Sequence, residues 1–135
     1  MKILYVWYVV LYFLLAMENS IAAPMLHDCS RQDLCMVAVA KQNPTFIVKL
    51  SGSPSTGYAW YLARYNQRLV TPLKWQVIPA ATHKALGGIR EELWTFKVAP
   101  EALVVPQLSK LMFVYARPWS AIVAKTVVVN VVSMA

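Results

Sequence analysis

Acidic residues are scarce in this 135-residue chain. Six Asp and Glu stand against 13 Lys and Arg, a formal balance of +7, and charged residues make up only 14% of the sequence. So little charge beside 59% hydrophobic residues excludes a disordered tail, because such a chain buries enough surface to offset its ordering entropy. The length fits one domain. Histidine and cysteine occur twice each. Spread over His27, Cys29, Cys35 and His83, they match no zinc spacing, and neither a metal nor a cofactor is expected. The Lys and Arg residues are scattered singly, with no basic run and no arginine-rich helix, which argues against a nucleic-acid partner. Nor does any apolar run reach the about 20 residues that a membrane-spanning helix needs.

What the chain does have is an amino-terminal export grammar. Met1-Lys2 gives a positive start, Ile3 to Met17 an unbroken uncharged run, and Glu18 to Ala22 a polar exit ending in small residues. Ser20 and Ala22 suit the positions before a cut. The expectation is a signal peptide over residues 1–22, cleaved after Ala22, with an uncleaved anchor as the alternative. An amino-terminal segment, 23–35, would follow, and then one domain over 36–135. The protein would be exported, periplasmic or secreted, without stable membrane insertion after cleavage. Removing Lys2 and Glu18 leaves the charge balance unchanged, so the basic excess belongs to the folded domain.

In an oxidising compartment Cys29 and Cys35 read as a local disulfide that ties down the leading segment. So short a loop implies a modest contribution to global stability. The functional alternative is a catalytic thiol partnered by His27 or His83.

From residue 36 onward the periodicity is that of strands. Phe46, Val48 and Leu50 alternate with Ile47, Lys49 and Ser51, and Trp94, Phe96 and Val98 alternate with Thr95 and Lys97. Further apolar runs at 36–41, 58–65, 73–78, 111–116 and 122–132 bring the total to about seven. Prolines 44, 54, 72, 79, 100, 106 and 118 fall between these runs or at their ends. The segment Pro100 to Ser109 fits either a helical turn or an irregular connection. The pattern predicts an all-β, immunoglobulin-like antiparallel sandwich preceded by the signal peptide. Trp60, Trp75 and Trp94 are expected in the core or on a sheet face.

Successive antiparallel strands place alternate connections at one end. All four glycines lie in two such connections: Gly52 and Gly57 in Ser51-Gly52-Ser53-Pro54-Ser55-Thr56-Gly57-Tyr58, and Gly87-Gly88 after Ala85-Leu86. The third connection at that end is Ala116-Arg117-Pro118-Trp119-Ser120, which pairs an aromatic and an Arg with a stiffening proline. Each motif alone is ordinary turn chemistry. Their coincidence at one end marks a binding surface.

Together the motifs resemble the chagasin-like family of inhibitors of papain-like cysteine peptidases, which is marked by Asn-Pro-Thr-Thr-Gly-Tyr/Phe, Gly-x-Gly-Gly and Arg-Pro-Trp loops in that order. Here they stand as Ser53-Pro54-Ser55-Thr56-Gly57-Tyr58, Ala85-Leu86-Gly87-Gly88 and Arg117-Pro118-Trp119. Ser53, Ser55 and Ala85 depart from the pattern, and the cysteine pair lies outside it. The resemblance implies a reversible competitive inhibitor, not an enzyme, whose three loops wedge into the cleft of a papain-like peptidase of the producing organism or of a host. Thr56 would lie nearest the catalytic pair, with residues 85–88 on one side and 117–119 on the other. Arg117 would either meet an acidic enzyme surface or hold its own loop. A monomer is the default. The competing reading is an exported adhesion or binding module that uses the same loops without a peptidase target.

Overall fold

The computed structural model describes residues 2–15, 22–53, 56–79 and 89–134. Helix α1 (Lys2–Leu15) comes first, and its side chains at 2–12 are exposed. No helix among the described residues is long and apolar enough to cross a membrane. The strands follow as β1 (Met25–Asp28), β2 (Leu34–Ala40), β3 (Thr45–Gly52), β4 (Ala59–Arg64), β5 (Val70–Pro79), β6 (Arg90–Val98), β7 (Gln107–Ala116) and β8 (Val123–Met134). They form two four-stranded sheets, ordered β1-β3-β6-β5 and β2-β8-β7-β4. The fold is the expected immunoglobulin-like sandwich.

Alternation builds the core. Burial alternates along β2, along β3 from Thr45 to Leu50 and along β8 from Thr126, turning Val37, Val39, Phe46, Val48, Leu50, Val127, Val129 and Val131 inward. The two sheets meet through aromatic rings. Phe46 stacks on Phe96 at 5.4 Å, and Phe96 meets Phe113 of the other sheet edge-on at 6.0 Å. Deleting one of these buried rings is expected to cost about 3–5 kcal/mol. Trp60 is buried and Trp94 packs against the core, whereas Trp75 stands exposed on the edge strand β5.

The structure departs from the sequence reading in four places. The strands number eight among the described residues, because Met25–Asp28 adds an edge strand to the first sheet. It pairs with β3 in parallel, as β2 does with β8, so the sandwich is not purely antiparallel. The segment after Pro100 divides: Pro100–Leu103 is one 3-10 turn that buries Ala102 and Leu103, and strand geometry resumes at Gln107. Pro72 lies within β5, next to a register shift between Pro72 and Lys74. A missing ladder donor is tolerated there because β5 is an edge.

Candidate functional site

Strand register fixes which connections share an end. Gly52 and Pro79 both pair with Arg90, so the exit of β3, the exit of β5 and the entry of β6 lie together. Ala116 pairs with both Ala59 and Val123, which brings the entry of β4, the exit of β7 and the entry of β8 to one level in the other sheet. Hydrogen bonds between Ser53 and Tyr115 join the two groups. The connections β3–β4, β5–β6 and β7–β8 therefore emerge at one end. Of the candidate residues, Pro54, Ser55, Ala85, Leu86, Gly87 and Gly88 lie outside the described residues, as does His83.

The remaining candidates are brought into contact. Arg117 Nε donates to the carbonyl of Thr56 at 3.0 Å, and its guanidinium lies 4.5 Å from the centre of the Tyr58 ring. Thr56 Oγ1 donates back to the carbonyl of Ser53 at 2.8 Å, closing the turn on itself. Gly57 adopts φ +76°, and Trp119 packs against it so closely that a β-carbon there would come within 2.8 Å of the indole. Trp119 nonetheless remains 73% exposed. The chain turns sharply around Pro118, with Ser120 N donating to the carbonyl of Arg117 at 3.1 Å and Ser120 Oγ accepting from Ile122 N at 3.2 Å. Of the two roles open to Arg117 in the sequence, the geometry displays the internal one.

A second layer, not apparent from the motifs, supports these loops from beneath. Tyr115 Oη accepts from Ser53 N at 2.8 Å and lies 3.3 Å from the carbonyl of Ser53, to which it donates. Its ring stacks on Tyr58 at 5.2 Å and meets Trp60 at 5.0 Å, while Trp60 Nε1 donates to the carbonyl of Ser51 at 2.9 Å. Gly52 permits this approach, since a β-carbon there would sit 3.0 Å from the Tyr115 ring. The available signal was position: Tyr115 falls on the inward alternation of β7, just before Arg117.

Near the entry of β6 lies a buried carboxylate. Glu92 is 2% exposed, pairs with Arg90 at 3.2 Å and lies 3.5 Å from the indole nitrogen of Trp75. Cys29 and Cys35 form a disulfide with their α-carbons 5.6 Å apart. Both thiols of the chain are thereby consumed, which removes the thiol-enzyme reading. The bond does more than order the leading segment, because it joins the edge of one sheet to the edge of the other.

Residues 39–131 match the family described as Chagasin family peptidase inhibitor I42. The chain belongs to this family. Its members are peptidase inhibitors and not enzymes. Two solved structures are similar in fold. The cysteine protease inhibitor EhICP2 from Entamoeba histolytica superposes with a TM-score of 0.64 at 16% identity, covering 83% of this chain and 98% of that one. Amebosin gives 0.59 at 17% identity, covering 84% and 100%. No curated protein sequence matches the chain. Within the family motifs, residues 56–58 and 117–119 form a single packed unit, and the chagasin-family match runs through both.

Proposed function

We propose that this chagasin-family protein is a reversible, competitive inhibitor of papain-like cysteine peptidases, and that the three loops at one end of its sandwich fill the substrate cleft. The reading includes export after removal of residues 1–22. The clamp of Arg117 on Thr56 and Tyr58 is the observation that carries it, since it fuses two loops into one preshaped projection with Trp119 exposed at its side. Loops already held in place lose little conformational freedom on binding.

The same bonds account for survival in an active site. A peptidase thiolate needs a carbonyl in near-attack geometry, and the carbonyls of Ser53 and Thr56 are both engaged by internal donors. Thr56 occupies the cleft sterically, Trp119 anchors one flank, and residues 85–88 cover the other. An interface of about 800 Å² per partner is standard for protease–inhibitor pairs, which include some of the tightest complexes known.

The test is an inhibition panel of papain and cathepsin-type peptidases with the purified domain. The expected result is a raised KM at unchanged kcat, with full recovery on dilution and no cut between residues 53 and 58. Undiminished activity of every peptidase at micromolar inhibitor would overturn the reading.

A further inference from the structure

A fourth connection shares the binding end. Strand β1 runs parallel to β3, with Asp28 level with Lys49, so it exits towards the end where β3 enters its loop. Strand β2 runs parallel to β8, with Leu34 level with Val128, so it begins towards the end where β8 leaves the Trp119 turn. Residues 29–33, which join β1 to β2, must therefore lie on the shoulder of the same surface.

This short loop is fastened to the bases of two of the others. Cys29 N donates to the carbonyl of Lys49 at 3.0 Å, and Ser51 Oγ, two residues before Ser53, donates to Ser30 Oγ at 3.0 Å. Lys125 Nζ, just inside the start of β8, donates to the carbonyl of Ser30 at 3.1 Å. At the far side Val128 N donates to the carbonyl of Asp33 at 2.8 Å, and the Cys29–Cys35 bond closes the loop. Arg31 and Gln32 form its exposed tip, and Asp33 after them is exposed as well. Arg31 enters no ion pair among the described residues, whereas Lys49 and Arg90 at the same end are both neutralised by carboxylates.

So many ties on a five-residue connection hold its tip in one shape before any partner arrives, and the tip they hold is a cation. We infer that residues 29–33 are a fourth contact of the inhibitory end, and that Arg31 engages carboxylates on the rim of the peptidase cleft beyond the flank taken by Trp119. The inference rests on the inhibitor reading above and adds to it the chemistry of the rim. A protein of formal charge +7 selects an acidic partner in general, and Arg31 directs that selection to one side of the interface.

Association rates with a peptidase that the wild-type protein inhibits provide the test, at low and high salt, for Arg31→Ala, Arg31→Glu and Lys97→Glu. Lys97 is exposed near the opposite end of β6, level with Thr45 and Thr71, so its reversal changes net charge as much as Arg31→Glu without touching the loop end. Rim charges act mainly on association rate and salt dependence. The expected result is a rate about threefold lower for Arg31→Ala and about tenfold lower for Arg31→Glu at low salt, both shrinking in high salt, with Lys97→Glu within about twofold of wild type. Equal effects of Arg31→Glu and Lys97→Glu would overturn the fourth contact while leaving the inhibitor reading intact. A wild-type protein that inhibits no papain-like peptidase would overturn both.

Discussion

Trp119 lies directly against the α-carbon of Gly57, leaving no room for a β-carbon between the two loops they belong to. Substituting Gly57→Ala places a side chain in a left-handed backbone, which costs about 1–2 kcal/mol, and drives that side chain into the indole. Trp119 should swing away, and inhibition should weaken about as much as in Trp119→Ala. For an interface anchor that is about 2 kcal/mol, or roughly 30-fold in the inhibition constant. Inhibition constants for the two variants, with a thermal melt showing that the sandwich survives, check this. A Gly57→Ala protein with wild-type potency would contradict it.

Arg117 offers a sharper chemical distinction. Its bond to the Thr56 carbonyl comes from Nε while the guanidinium plane lies over Tyr58, a combination that Lys cannot reproduce. Both Arg117→Ala and Arg117→Lys should therefore weaken inhibition, each by about 1 kcal/mol. Faster amide exchange at Gly57 and Tyr58 in the free variants would locate the effect in the loop. Full rescue by Lys would mean that only the charge matters.

Tyr115 should act on stability first. Tyr115→Phe keeps the ring stacked between Tyr58 and Trp60 but removes the hydroxyl shared with Ser53. The expected loss is about 1–2 kcal/mol in urea unfolding, with an unchanged denaturant slope. A variant as stable as wild type would show that the Ser53 backbone finds other partners.

Two groups on β1 make stability depend on pH with the same sign. Burial holds His27 below its usual pKa, and the hydrogen bonds from Ser30, then Lys49, hold Asp28 below its own. In each case the unfolded chain binds a proton at a higher pH than the folded one, so stability rises with pH across the gap. The His27 contribution is complete above its unfolded pKa of about 6.5 and is lost as pH falls through the folded value. The Asp28 contribution behaves likewise below about 3.9. Urea midpoints should accordingly fall between pH 7.5 and 5.5, and His27→Phe should remove most of that drop. An identical drop in His27→Phe would assign it elsewhere.

Much of this was written in the residue pattern, and what escaped has a physical cause. Strands such as Phe46 to Leu50 announce themselves because one face must be apolar and the other wet. Met25–Asp28 offers no such signal: only His27 is even partly shielded there, and a parallel edge pairing leaves no turn signature. Two of the turns were legible in composition, with Gly57 where the backbone is left-handed and Pro118 before Trp119. Their coupling was not, since the meeting of Arg117 with Thr56 depends on how two distant strands align, and no local preference encodes it. The cysteine pair was readable as a bond but not as a link between sheets, because sequence spacing says nothing of which sheet each neighbour joins.

The bond between Thr56 and Arg117 spans 61 residues of sequence, and it limits how this surface can be borrowed. A synthetic peptide copying residues 53–58 would lack its guanidinium brace, and a cyclised turn copying 117–120 would lack the glycine on which its indole rests. Strands β4 and β7 pair from Ala59 with Ala116 down to Arg64 with Met112, and they carry the two turns at a fixed offset. The smallest unit worth grafting onto another scaffold is thus that strand pair with both turns attached, together with Tyr115 beneath them.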